Sequence, residues 1–533
     1  MDRIGKKCIV LNYPGSWPSK MNNGIVVGGR GLSVGENRDG LFGLDSEIDL
    51  CHAQLITTGI YPASIRGEFV SADGWRNVAE PGEEPLEMTV KLSFPESAVN
   101  PAETIWHVLV RETNDQGYDQ ATLGPTKDFQ DAFCTLSVGQ WSPKIVTRIK
   151  MTDGSEKEVF FRCKLIELSE DAEEFRLLIG DLNATSGWSY PPEIAEEIDS
   201  AEGTGGHSGG LLGLKLGYYD LDTYVEINEQ YSRFLADAAT SLLTRHDWDL
   251  FCMHSHPTDW VYHALMTDLD PLTGQDEEKR KKAWKAHLQI YETQDRMLAR
   301  ILEAVGEDTL VILVSDHGAT ADGPVFNPYE ALVPAGLCAE PGPPPKSELD
   351  GLKGSVFEKS RLRGLVPDPS KSKALPQRNL YIYVNLKGRD PGGIVEPEDY
   401  EKVQQEIIDA LYAYVHPKSG RRPIALALSK RDARILGLHG DGIGDVVYAL
   451  YPWFGSQHGQ MLPAAEYGLG SIKALFTFTG PGIKQGHRLQ RNAWITDLVP
   501  TVCYLMNWPL PEEAEGAVLY QIFEDPNFRY HGK

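Results

Sequence analysis

The sequence lacks paired cysteines and long apolar runs. Its seven cysteines are scattered over 533 residues, and no two are separated by only two residues. This spacing argues against a disulfide scaffold or a cysteine zinc site and predicts isolated, reduced thiols. No stretch approaches the ~18 consecutive apolar residues of a membrane-spanning helix, and the start of the chain lacks the apolar core of a signal peptide. We therefore expect a cytoplasmic protein with no membrane partner.

Positive charge is also scarce. The chain has 51 Lys and Arg against 76 Asp and Glu, which gives a net charge of −25. This excess of negative charge opposes binding to the phosphate backbone of nucleic acid polymers, so we expect no such partner. With 41% hydrophobic and 24% charged residues, the composition is typical of a globular chain, and its length suggests about three domain-sized units. The oligomeric state is left open.

The order of patterns along the chain predicts an α/β fold with an insert. Helical and strand patterns alternate after residue 200, which is typical of an α/β layer, and an apolar run near the start indicates a buried strand. We therefore assign residues 1–65 and 200–533 to one α/β core and 66–199 to a β-rich insert. Within the insert, short β-prone runs over 88–178 predict antiparallel strands that supply no metal ligand. The Pro-rich stretch 338–377 is predicted to be an exposed excursion or cap.

A strand pattern over Asp249–His254 leads to the first candidate metal-binding residues. Asp259 and His263 are four residues apart, so a helix that begins near Pro257 would place both side chains on one face. A carboxylate and an imidazole in this arrangement can bind one metal ion. An ordinary polar helix face is the alternative interpretation.

A longer helix is predicted over 283–305. Its apolar stripe should consist of Trp284, Leu288, Tyr291, Leu298, Ile301, Leu302 and Val305. Asp295 falls on this stripe, and we expect it to be a hydrogen-bonded structural carboxylate.

The segment Thr309–Gly318 reads Thr-Leu-Val-Ile-Leu-Val-Ser-Asp-His-Gly. Five successive apolar residues predict a strand buried on both faces, and its carboxyl end is where α/β sheets place their active sites. Asp316 and His317 would then form a metal-binding corner, whereas a capping role for Asp316 is the structural alternative. Further along, His458 lies in a glycine-flanked turn, Gly455-Ser-Gln-His-Gly459.

Taken together, these motifs resemble the alkaline phosphatase superfamily, in particular its type I phosphodiesterase and nucleotide pyrophosphatase branch. The resemblance covers roughly residues 5–60 and 200–525, including landmarks such as Gly480-Pro-Gly-Ile-Lys484. It implies a central sheet flanked by helices. It also implies two divalent cations, one held by Asp259, His263 and His458 and the other by Asp316 and His317. Mixed Asp and His ligation favours zinc, with manganese as the alternative.

The function implied by the resemblance is hydrolysis of small phosphate esters, with diesters or pyrophosphates favoured over monoesters. Two cations about 4 Å apart can activate a nucleophile and stabilise the leaving oxygen during in-line displacement. The family's nucleophile, a Thr or Ser, and a further Asp ligand would lie upstream of Met1. Ser33, Thr57 and Thr58 match the nucleophile by residue type only, so its identity is unknown, and we expect weak turnover from the chain as given.

Two rival functions remain. His254-Ser-His256 after a strand is similar to the metal-binding pair of an amidohydrolase, and the two interpretations differ in whether this pair or Asp259 and His263 lies near Asp316. The second rival is an inactive family member that serves as a binding protein.

Overall fold

The computed structural model describes most of the chain, in two compact units. The described residues are 1–28, 49–78, 84–94, 101–200, 210–342, 367–377, 381–454 and 473–527, apart from 14–15, 17–18, 20, 52, 115, 272, 322, 325, 452 and 526. Unit 1 comprises Met1–Leu265, Asp276–Ala304 and Pro343–Val366, and unit 2 comprises Met266–Gln275, Val305–Gly342 and Pro367–Lys533.

Unit 1 contains most of the strands and the two longest helices. In chain order, its described strands are β1 (Cys8–Leu11), β2 (Gly24–Val27), β3 (Asp49–Cys51), β4 (Gln54–Thr57), β5 (Ile65–Arg66), β6 (Val70–Ser71), β7 (Leu86–Lys91), β8 (Ile105–Glu112), β9 (Tyr118–Gly124), β10 (Cys134–Ser137), β11 (Ile145–Lys150), β12 (Glu156–Phe161), β13 (Cys163–Leu168), β14 (Phe175–Ile179), β15 (Leu182–Ala184), β16 (Ser189–Tyr190) and β17 (Leu250–Met253). Its helices are α1 (Glu193–Ser200), α2 (Leu211–Lys215), α3 (Leu221–Arg245), α4 (Pro257–Leu269, which continues into unit 2) and α5 (Glu277–Ala304).

The first sheet of unit 1 is largely parallel. Its strand order is β16-β2-β1-β17, and β1 pairs in parallel with both β2 and β17. Parallel sheets are usually covered on both faces, and α3 packs against β1 and α5. Because the three parallel strands run the same way, Leu11, Val27 and Met253 end at one edge of the sheet. The residues that follow them begin the candidate site.

Three further sheets form the β-rich part of unit 1. Their strand orders are β10-β9-β8-β7-β6, β11-β12-β15-β3 and β13-β14-β4-β5. All pairings within 88–178 are antiparallel and the described residues there contain no α-helix, so the predicted antiparallel structure is confirmed. The aromatic side chains Trp106, Phe133 and Phe161 contact one another in its core.

The β-rich strands are also hydrogen-bonded to strands from earlier in the chain. β4 pairs with β14 and β3 with β15, so residues 49–57 share two sheets with the proposed insert. The domain boundaries near 65 and 200 stay predictions.

A half-buried ion pair connects β13 to α3. The Lys164 side chain is 7% exposed, and its Nζ lies 2.5 Å from Oε2 of Glu226. The same oxygen accepts a hydrogen bond from Trp141 Nε1 at 2.7 Å, and Lys164 Nζ also donates to Thr223 Oγ1 at 3.0 Å. The buried ammonium group therefore depends on α3 for its counter-charge.

The helix predicted over 283–305 is confirmed as α5, but its predicted buried face is wrong. Trp284, Leu288 and Tyr291 are 39–53% exposed, and Asp295 is exposed beside them. The buried positions are instead Ala283, Ala286, His287, Ile290, Thr293 and Met297. Small residues let α5 approach α3 closely, and a pattern of large apolar residues does not reveal which face carries such small residues.

Unit 2 is built from two antiparallel sheets and three helices among the described residues. Its strands are β18 (Val311–Val314), β19 (Ala374–Gln377), β20 (Tyr381–Val384), β21 (Ile424–Ser429), β22 (Val446–Leu450) and β23 (Phe476–Thr479), and its helices are α6 (Tyr329–Leu332), α7 (Tyr400–Ala413) and α8 (Leu498–Leu505). One sheet has the order β19-β20-β22-β21 and the other pairs β18 with β23.

The strand predicted to end in Ser-Asp-His-Gly exists, but its burial differs from the prediction. β18 is only partly buried, and Val314 is 40% exposed. Its described neighbour is β23, paired antiparallel. The mixed α/β class is confirmed, whereas an alkaline-phosphatase-like central sheet stays a prediction.

A buried carboxylate organises the larger sheet of unit 2. The Asp445 side chain is 0% exposed and accepts hydrogen bonds from Arg389 Nη1 at 2.8 Å and Nη2 at 2.7 Å. Tyr400 Oη and the Val384 amide donate to it as well, each at 2.7 Å. These contacts join β20, α7 and the start of β22.

The stretch 338–377 is anchored at both ends. Cys338 and Ala374 are buried in the core of unit 2. Residues 343–366 lie outside the described residues, so an exposed excursion there stays a prediction.

Candidate functional site

The turn from β17 to α4 positions the first candidate pair. His254 follows β17, and its amide donates to the carbonyl of Leu11 at 3.3 Å, which continues the parallel pairing by one residue. α4 then begins at Pro257, where proline is favoured because the first helical amides have no partner within the helix. The pattern-based prediction of this strand and this helix start is confirmed.

Asp259 lies between two imidazoles in the first turns of α4. Its Oδ2 is 3.1 Å from Nε2 of His256 and 3.3 Å from Nε2 of His263. All three side chains are partly buried, with 21–25% of each exposed. His256 also stacks on Trp260, with ring centroids 4.9 Å apart. Asp259 and His263 therefore share one helix face, as predicted, and His256 joins them.

The electrostatics of this cluster keep the carboxylate charged. Burial by itself would raise the pKa of Asp259, but the hydrogen bonds from His256 and His263 outweigh it, and the pKa falls well below its usual range. An ionised oxygen beside two imidazoles can serve as half of an ion pair or as a metal ligand.

The spacing of Asp259 and His263 can be tested against metal geometry. Two donors bound tetrahedrally at ~2.0–2.1 Å from one zinc ion are about 3.3–3.4 Å apart, which matches the 3.3 Å between Oδ2 and Nε2. The pair therefore fits a shared cation in both chemistry and distance. Within the part of the chain that the structure describes, no group of three or more His, Cys, Asp or Glu is arranged to hold a metal, so the pair needs a further ligand.

The second candidate pair follows β18. The Ser315 amide donates to the carbonyl of Leu475 at 2.9 Å, which holds the end of the strand. Beyond it, Oδ2 of Asp316 lies 3.5 Å from Nε2 of His317, and the side chains are 73% and 28% exposed. His317 is oriented by the contact of Nδ1 with the Gly318 carbonyl at 2.9 Å. These two donors also lie at a spacing that one cation can bridge.

Sequence reasoning missed a buried polar contact at the parallel-sheet edge. Asn12 directly follows β1, has a φ of 54° and is 2% exposed. Its Nδ2 donates to Tyr231 Oη at 2.6 Å and to the His254 carbonyl at 3.0 Å. A polar residue just after a buried parallel strand is a usable signal, because such positions form the ligand-binding edge of α/β sheets. The partner Tyr231, on α3, has no comparable signal.

The structure brings together some of the predicted residues and leaves the rest of the prediction open. Asp259 and His263 are in contact within unit 1, while Asp316 and His317 are adjacent in unit 2. His458 lies outside the described residues. The predicted convergence of all five therefore stays a prediction. The choice between His254 with His256 and Asp259 with His263, which depends on which pair lies near Asp316, stays open as well.

The chain is of the mixed α/β class and carries a carboxylate–imidazole pair after each of two separate strands. The model of the type I phosphodiesterase / nucleotide pyrophosphatase family matches residues 182–454, slightly more than half of the chain, and the chain belongs to this family. The predicted resemblance is thereby confirmed, and the match supports a phosphoric ester hydrolase. It includes Asp259, His263, Asp316 and His317 and ends before His458.

Other comparisons add no further relative. No curated protein and no solved structure matches the chain significantly. Among the described residues, no helix is long and apolar enough to cross a membrane.

Proposed function

We propose that this protein is a metal-dependent hydrolase of phosphodiesters or pyrophosphates. The observation that carries the proposal is the family match over 182–454, which includes both carboxylate–imidazole pairs. The local geometry supports it, because the Asp259–His263 spacing suits a shared cation. The same match favours this function over an amidohydrolase.

In this proposal Asp259, His263 and His458 hold one divalent cation and Asp316 and His317 hold the second. Nitrogen and oxygen donors favour zinc, with manganese as the alternative. When bound, the cations supply electrostatic stabilisation of the phosphoryl oxygens. The protein's own contribution is to keep the Asp259 carboxylate ionised between two imidazoles and to fix it on the first turn of a helix. We assign no nucleophile.

The proposed substrate is a small phosphate ester or pyrophosphate. A net charge of −25 repels extended polyanions, whereas a small substrate can approach a local cationic site. The ligand set and the substrate class are therefore consistent with each other.

The test combines zinc binding with turnover. The protein is stripped with a chelator and titrated with zinc or manganese, and the hydrolysis of bis(p-nitrophenyl) phosphate is followed. Asp259→Asn and His263→Gln should each lower the affinity for the first cation by roughly 10–100-fold or more and abolish turnover, and Asp316→Asn should do the same for the second cation. His439→Gln is the matched control, because His439 is an exposed histidine paired with Glu515 at 3.4 Å.

Each outcome bears on the proposal. Turnover that survives chelation and all three ligand variants would refute it. Tight zinc binding that depends on Asp259 but gives no hydrolysis of any phosphodiester or pyrophosphate would favour an inactive, ligand-binding family member.

A further inference from the structure

Two cysteine sulfurs approach each other in the β-rich part of unit 1. Sγ of Cys134 and Sγ of Cys163 are 3.3 Å apart, although the residues are 29 positions apart in the chain. Cys134 begins β10 and Cys163 begins β13, and these strands belong to different sheets. Both thiols are free, but the prediction that the cysteines are isolated is wrong for this pair.

Regular backbone pairing holds both residues in place. Cys134 is in register with Leu123 of β9, and Cys163 is in register with Ile179 of β14. Ser142 adds two contacts to Cys163: its amide donates to the Cys163 carbonyl at 2.7 Å, and its hydroxyl accepts from the Cys163 amide at 2.9 Å. The close approach of the sulfurs is therefore a property of two sheets and does not depend on a loop.

We propose that Cys134 and Cys163 form a thiol pair that a low-molecular-weight disulfide, such as oxidised glutathione, converts to an intramolecular disulfide. The sulfurs must move together by only about 1.3 Å to reach the ~2.05 Å of an S–S bond. This is a modification site, separate from the phosphohydrolase function proposed above.

The reaction proceeds by two thiol–disulfide exchanges. The Cys134 thiolate attacks one sulfur of oxidised glutathione, which forms a mixed disulfide and releases one glutathione thiolate. Cys163 then loses its proton and attacks Sγ of Cys134, which forms the Cys134–Cys163 bond and releases the second glutathione. The two protein thiols are oxidised, and the one glutathione disulfide is reduced to two thiols.

The environments of the two thiols set this order. Cys163 is fully buried, and its hydrogen bond with Cys134, together with burial, raises its pKa well above the ordinary value. Cys134 is only partly buried and is the more exposed of the two residues, so we assign it the first attack on the oxidant. The buried thiol is suited to be the resolving group because it already lies within contact distance.

The disulfide would add a covalent cross-link between two sheets that already contact each other where β9 and β10 meet β13. A bond between Cys134 and Cys163 closes a loop between residues that are 29 positions apart. This loop restricts the unfolded chain, so the unfolding temperature of the oxidised protein should be higher by roughly 5–10 °C.

The experiment exposes the full-length reduced protein to buffers of increasing oxidised-to-reduced glutathione ratio and then blocks free thiols with N-ethylmaleimide. Because Lys127, Lys144, Arg162 and Lys164 bracket the two cysteines, a non-reducing tryptic digest should release peptide 128–144 linked to the dipeptide 163–164. We expect that two of the seven thiols are lost and that this linked peptide is the dominant product.

Single variants and a denatured control separate the proposal from chance pairing. Cys163→Ala should leave Cys134 as a stable glutathione adduct, Cys134→Ala should leave Cys163 unmodified, and Cys503→Ala should behave as the wild type. Absence of the linked peptide, or its formation in the same yield in concentrated urea, would overturn the proposal. An unchanged unfolding temperature after complete oxidation would overturn the predicted bridging of the two sheets.

Discussion

The Arg389–Asp445 contact allows a quantitative prediction for unit 2. Arg389→Ala removes two hydrogen bonds and the counter-charge from a carboxylate that is 0% exposed. Loss of one partner of a buried ion pair typically costs 3–5 kcal/mol. Arg389 itself is 37% exposed, and Tyr400 and the Val384 amide still donate to Asp445. We therefore expect a loss near the lower limit, about 3 kcal/mol in the free energy of unfolding of unit 2.

The assay must report on unit 2 separately, because a chain with two compact units need not unfold in one step. Native-state hydrogen exchange followed by mass spectrometry, read on peptides covering β20 and β22, gives this local stability. Arg431→Ala is the control, since Arg431 is 81% exposed and pairs with Asp432 at the surface, and it should change stability by less than about 0.5 kcal/mol. If Arg389→Ala has as small an effect as Arg431→Ala, the buried carboxylate does not require its counter-charge and the reasoning is refuted.

Three further predictions concern stability. Glu226→Gln should destabilise unit 1 by about 2–3 kcal/mol, because it leaves the buried Lys164 ammonium without its counter-charge; a urea titration that shows no change would contradict this. Asp220 caps α3 by accepting from the Thr223 amide at 2.9 Å. Burial raises the pKa of Asp220, but the hydrogen bonds from the Thr223 amide and hydroxyl and the positive charge of Lys164 together outweigh burial and lower it. A carboxyl group whose pKa is lower in the folded state stabilises the fold above its unfolded pKa of ~3.9, and this stability is lost as the pH falls below that value. Asp220→Asn should keep the helix cap but remove this contribution. The free energy of unfolding of the variant, measured between about pH 6 and pH 3, should therefore fall less steeply with acid than that of the wild type. Gly393→Ala should destabilise unit 2 by roughly 1–3 kcal/mol, since the added Cβ would lie 2.2 Å from a backbone carbonyl oxygen, and an unchanged melting temperature would show that the turn can shift freely.

Local patterns in the sequence were sufficient for the elements around the candidate site. The strand before His254, the helix from Pro257 and the strand before Ser315 were all predicted, because apolar runs and helical spacing are short-range properties. The contact of Asp259 with His263 followed directly from a spacing of four residues on a helix.

Contacts between distant residues were beyond prediction from one sequence. Nothing in the local pattern couples Cys134 to Cys163 or Arg389 to Asp445, since these contacts depend on how strands pair. The buried face of α5 was missed for another reason. Ala283 and Ala286 contribute little hydrophobicity, yet they allow close helix packing, whereas the large residue Trp284 remains exposed.

The pairing of β4 with β14 has a consequence for the modularity of the protein. The sequence pattern predicts that the β-rich region is an insert. However, two of its sheets include strands from residues 49–57. An excised fragment 66–199 would expose the hydrogen-bonding edges of β14 and β15, and unpaired edges promote aggregation. It would also separate Lys164 from Glu226 on α3. The β-rich region of this chain is therefore not an independent module, because its sheets and its buried Lys164 are completed by residues on either side of it.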